Sequence, residues 1–103
     1  MVDYVADVKH YANDVNEAAV AAIVKHCGIA LQGADSALVA TSDPEELATV
    51  RDGFAAKKLG LSPEAADAGV KAAALKMKAA ARKSRVTFYY LVAESTGTLN
   101  KLA

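Results

Sequence analysis

From Val86 to Ala93 the chain reads V-T-F-Y-Y-L-V-A, and only Thr87 and the two tyrosine hydroxyls in that run are polar. A stretch this apolar must be covered on nearly every side, which makes it the predicted centre of the core. Periodicity alone does not separate a buried strand from a buried helix. Val, Thr, Phe and Tyr favour strands. Ser84 can cap a helix start, Gly97 can end one, and no strand signal lies nearby to pair with. The run is therefore read as a helix entered at Arg85.

Toward the amino end, Tyr4, Val8, Tyr11 and Val15 recur at steps of four, three and four, which predicts a helix over residues 3–12. A second stripe, Asp3, Asp7, His10, Asp14 and Glu17, keeps similar steps. On an unbroken helix it would align four acids and a histidine into an acidic patch. Such a patch could hold a divalent cation, meet a basic partner, or simply face solvent. Against continuity, D-V-N-E at Asp14–Glu17 resembles a capping box, with Asp14 starting a fresh helix and Glu17 reaching back. Whether residues 3–27 form one helix or two stays open at this point.

A helix over about residues 15–26 follows, with Ala19, Ala22, Ile23 and His26 on one face and Val20, Val24 and Cys27 on another. Gly28 is its natural stop. Residues 29–42 read as a connector, broken at Gly33, in which Asp35-Ser36 could cap a single turn through Val39. The next helix has a strong start signal: Asp43 as N-cap, Pro44 in the first position, Glu45 and Glu46 in the first turn. Leu47, Val50 and Phe54 give its inner face, Lys57 and Lys58 lie in its last turn, and Gly60 ends it. Ser62-Pro63-Glu64 repeats the start chemistry for a helix over about residues 63–82. Ala66, Val70, Ala73, Ala74, Met77 and Ala81 share one face of it. Gly69 inside that helix costs about 1 kcal/mol relative to Ala. The tail after Gly97 is expected to fray.

Composition narrows the class. At 103 residues one domain is expected, spanning 1–103. Alanine-rich sequence without tryptophan points to closely packed helices. The predicted fold is therefore all-α, a compact single-domain bundle of four to six helices. The lone Cys27 cannot form an internal disulfide. The opening M-V-D-Y-V-A-D carries acids where a signal peptide needs bases and a long apolar run. No window of about 18 apolar residues lacks a charge, so no membrane span is expected and the cytoplasm is the expected location.

The formal net charge of zero conceals a division. Residues 1–50 hold eight acids and two bases, and residues 51–103 hold ten bases and four acids. Opposite halves can attract within one molecule or between two copies. No acid occurs between Asp67 and Glu94. The bases Lys57, Lys58, Lys71, Lys78, Arg82 and Arg85 are candidate contacts for an anion or a partner. Phosphate binding by such a set would be strongly salt-dependent. However, the aromatics are not interleaved with the bases as a stacking platform requires, and net charge is zero, so nucleic acid is not the expected partner.

His26 and Cys27 are neighbours pointing about 100° apart on a helix. With only His10 besides, neither a zinc site nor a Cys–His catalytic pair is expected. No glycine-rich phosphate loop, H-E-x-x-H, C-x-x-C or G-x-S-x-G is present. No catalytic residue, metal or cofactor is assigned. The residues point to a non-enzymatic protein-interaction module whose partner is another protein or itself, with a homodimer as one form. The alternative is nucleic-acid or phosphate-ligand binding through the basic carboxyl-terminal half.

One resemblance adds to this. The central segment carries Asp35, Pro44-Glu45-Glu46-Leu47, Val50, Phe54 and Lys57-Lys58-Leu59-Gly60-Leu61, with Cys27-Gly28 upstream and Tyr89-Tyr90-Leu91 downstream. These residues resemble a small bacterial family catalogued as domain of unknown function 2853. The resemblance implies an all-helical single domain with no assigned activity, and it agrees with a helix over the Tyr89-Tyr90 run.

Overall fold

The apolar run is a helix, α5 (Arg85–Ser95), and the other elements cover it. Every residue from Arg85 to Ala93 is buried, and Val86, Thr87, Phe88, Tyr90, Leu91, Val92 and Ala93 have no exposed surface. A helix apolar all round has to sit in this way. Its end is set by Gly97, whose φ of 71° is left-handed. The Thr98 N–H reaches the Ala93 carbonyl at 2.8 Å and the Gly97 N–H reaches that of Glu94 at 3.2 Å. That bond pair is the Schellman closure. Ser84 precedes the helix in an extended conformation, but its side chain makes no capping bond.

The structure, a computed structural model, describes residues 4–33, 37–80 and 83–102. Among them are five α-helices, within the four to six expected: α1 (Tyr4–Lys9), α2 (Glu17–Cys27), α3 (Pro44–Thr49), α4 (Pro63–Lys76) and α5. Short 3-10 turns occupy Gly28–Gln32 and Leu99–Lys101, and α3 runs directly into a π-helical segment, Val50–Lys58. The chain is an all-α single domain. No helix among the described residues is long and apolar enough to cross a membrane.

Two of the predicted starts hold as written. The Asp43 side chain accepts from the Glu45 N–H at 2.9 Å, and the Ser62 hydroxyl accepts from the Ala65 N–H at 3.3 Å. The first start is different. Residues 4–27 form two helices, and α2 is capped by Asn16, whose side chain accepts from the Ala19 N–H at 3.1 Å. Asp14 instead occupies the turn, at φ 47°. The Asn16 N–H donates to the Tyr90 hydroxyl at 2.9 Å, so this turn is tied to α5.

Three further expectations are corrected. Residues 37–39 are not a helical turn; Leu38 bridges Ser84 in antiparallel fashion. The Val39 N–H meets the Lys83 carbonyl and the Arg85 N–H meets that of Ala37, both at 2.8 Å. The cap proposed at Asp35-Ser36 lies outside the described residues. Helix α4 stops at Lys76 rather than near residue 82. The tail docks instead of fraying: Leu102 is buried, and Lys101 Nζ donates to the Leu59 carbonyl at 2.9 Å.

The sequence predicts an ordinary helix through Val50–Lys58, and the chain winds there as a π-helix instead. Its wider turn brings Val50, Phe54, Ala55 and Leu59 all into the core. At its end the Leu59 N–H bonds the Phe54 carbonyl five residues back, at 3.2 Å. Gly69 is where α4 meets α5. A Cβ there would lie 2.7 Å from Thr96 Cγ2 and 3.2 Å from Val92 Cγ1. The glycine that costs the isolated helix stability is what allows these two helices to close.

Candidate functional site

Two arrangements stand out, one inside and one at the surface. Inside, Arg85 enters the core at the head of α5. Its guanidinium donates to the Tyr89 hydroxyl at 3.1 Å, to the Leu38 carbonyl at 3.2 Å, and to the Glu46 carboxylate. Burial works against its charge, but the Tyr89 and Glu46 contacts outweigh this and hold its pKa above the ordinary value. Tyr89 stacks on Phe54 with ring centroids 4.3 Å apart, and His26 leans over Phe54 at 5.3 Å. Burial, more than the nearby Lys58, lowers the pKa of His26. Burial pushes the Cys27 thiol up to about 11, with Arg85 opposing. A protonated thiol is a poor nucleophile and metal ligand. These groups fasten α2, α3 and the π segment onto α5. Among the described residues, no three His, Cys, Asp or Glu side chains group closely enough to hold a metal ion.

At the surface, α3 with the first turn of the π segment on one side and α4 on the other enclose a groove of about 230 Å³. Pro44, Leu47, Ala48 and Arg51 line one wall; Asp67, Val70, Lys71 and Ala74 line the other. The strong α3 start and the small side chains of α4 explain its shape, because alanine leaves space where larger residues would fill it. The floor is apolar and the rim is charged. Asp67 pairs with Lys71 at 2.9 Å, and Arg51 pairs with Asp52 at 2.9 Å. On α4, one residue beyond the groove-lining Ala74, Leu75 is 72% exposed, the one large hydrophobic so open among the described residues. The groove can accept an apolar side chain and orient it with charges.

The predicted site residues are dispersed. The acidic stripe is interrupted by the turn at residues 10–16. Within it, His10, Asp14 and Glu17 are exposed, while Asp7 faces α5 and accepts a bond from the Thr87 hydroxyl. Of the bases, Lys57, Lys58 and Lys78 are exposed. Lys71 is engaged with Asp67. Arg85 is not a surface cation at all, being buried against Glu46. Asp3 and Arg82 lie outside the described residues. The groove was missed, although one sign of it was visible. Leu75 is a large apolar residue set between Lys71 and Lys78, off the face formed by Ala66, Val70, Ala73 and Met77.

A family model described as "Protein of unknown function (DUF2853)" matches residues 3–100, nearly the whole chain. No curated protein matches it.

Proposed function

The chain belongs to the DUF2853 family, and we propose that within it this chain acts as a small non-enzymatic protein-interaction module. The observation that carries this reading is the groove between α3 and α4, together with the exposed Leu75, which follows the groove-lining Ala74 on α4. Single surface hydrophobics are ordinary. A leucine exposed on a helix that also walls an apolar groove is less so, because one partner could cover both. Covering a leucine fully is worth about 1.5–3 kcal/mol. The charged rim of Arg51, Asp67 and Lys71 supplies orientation and selectivity. A cytoplasmic setting is part of the reading and rests on the lone thiol. The phosphate-binding alternative is weakened by Arg85, which is committed to Glu46, and by Lys71, which is paired with Asp67.

Immobilised full-length chain, compared with a Leu75→Asp chain, tests the proposal. Wild type should retain a protein, either a second copy or another, that the variant releases. Retention of nothing, or equal retention by both, would contradict it.

A further inference from the structure

The groove is bordered by a planar cation whose faces are not in use. Arg51 lines it from the first turn of the π segment. The guanidinium grips the neighbouring Asp52 with two bonds, Nε to Oδ1 at 2.9 Å and Nη2 to Oδ2 at 3.1 Å. A fork of this kind uses the edge of the guanidinium plane and leaves both faces uncommitted. The Arg51 side chain is 37% exposed, and among the described residues no aromatic ring lies over it. Leu47, Ala48, Val70 and Ala74 give the same groove its apolar lining. Resting on the reading of this groove as a protein contact, we infer that its occupant is an aromatic side chain of a partner protein. The ring sits on the apolar lining with its π face against Arg51.

The apolar lining alone would take an aliphatic or an aromatic chain. Arg51 separates the two, because an electron-rich ring face attracts a cation and a leucine does not. Space suits a ring: the groove holds about 230 Å³, and an apolar cavity of about 150 Å³ accepts benzene. The Lys71–Asp67 pair on the opposite wall is already satisfied and takes no part. The ring has to come from another protein. Of the chain's own aromatics, Phe54, Phe88, Tyr89 and Tyr90 are buried, and Tyr4 and Tyr11 are packed half-buried against the core. A second copy therefore has no free ring to offer.

Magnetic-resonance titration of the full chain with N-acetyl-phenylalaninamide, and with the analogue carrying cyclohexyl in place of phenyl, tests this. The two probes are of similar size, and the cyclohexyl one is the more apolar. Amide signals of residues 44–51 and 67–74 should shift. The phenyl probe should bind roughly two- to five-fold more tightly. Arg51→Gln should remove that preference and leave affinity for the cyclohexyl probe nearly unchanged. Ala74→Leu, which fills the groove, should weaken both. Circular dichroism verifies that each variant is folded, and if Ala74→Leu is not, the Arg51→Gln comparison decides alone. A cyclohexyl probe bound as tightly as the phenyl one, or a phenyl preference that survives Arg51→Gln, overturns the inference. So do probes that bind elsewhere or not at all. If Leu75→Asp then still releases a protein that wild type retains, the interaction reading stands without it. If wild type retains nothing, both fall.

Discussion

At the head of α5, Arg85 keeps its charge inside the core because oxygens of Tyr89, Leu38 and Glu46 are among those that meet it. Taking away the Glu46 carboxylate removes an anion from beside a buried cation. Glu46→Ala should therefore cost about 3 kcal/mol, measured as a lowered urea midpoint. Glu46→Gln, which keeps an acceptor oxygen, should cost less. A Glu46→Ala chain as stable as wild type would contradict this role. His26 gives a prediction in pH. Burial first and Lys58 second hold its pKa below the ordinary 6.5. On acidification the unfolded imidazole protonates before the folded one, so protons favour the unfolded chain. This contribution to stability is complete above about 6.5. It declines as pH falls from there through the folded pKa, and is flat below. Lys58→Met should raise the His26 pKa toward the ordinary value without reaching it, since burial is the larger cause. Magnetic-resonance titration of the ring reads this directly. A His26 titrating at or above 6.5 in wild type would contradict it.

Between elements, the α4–α5 contact depends on Gly69. Alanine there gains helix propensity worth about 1 kcal/mol, yet its methyl would meet Thr96 Cγ2 at 2.7 Å. Thr96 is poorly placed to yield, because its hydroxyl is bonded to the Val92 carbonyl at 2.9 Å and to Thr98 Oγ1 at 2.9 Å. Overpacking costs about 1–3 kcal/mol. Gly69→Ala should thus be net destabilising by about 1 kcal/mol in a denaturation series, and Thr96→Ser in the same chain should relieve much of it. Equal effects with and without Thr96→Ser would place the strain elsewhere. The sequence made the helix starts at Asp43-Pro44 and Ser62-Pro63 legible because capping is a local matter of side chain and neighbouring N–H. The closure at Gly97 was legible for the same reason. Asn16 and Asp14 both suit a cap, and the choice between them followed from the bond that Asn16 makes to Tyr90, a residue far along the chain. The π winding of Val50–Lys58 was not legible, since only the demand to bury Val50, Phe54, Ala55 and Leu59 together reveals it.

For the whole molecule, the division of charge between halves is little used by the ion pairs among the described residues. Of the ion pairs among the described residues, Arg85–Glu46 joins the basic half to the acidic one. Arg51–Asp52, Lys71–Asp67 and Lys76–Glu94 are all internal to the basic half. The buried helix at the centre was readable from one apolar run, because a run without polar positions has only one place to go. The groove was not readable, since its walls come from two helices whose juxtaposition no local pattern encodes. Leu75 alone carried a trace of it. The claim that this groove is the recognition surface is tested most directly by following backbone amide signals of the full chain through a titration with N-acetyl-phenylalaninamide. Shifts should concentrate on residues 44–51 and 67–74 and weaken in Ala74→Leu. Shifts centred instead on Lys57, Lys58 or the His26 side, or none at any concentration, would contradict it.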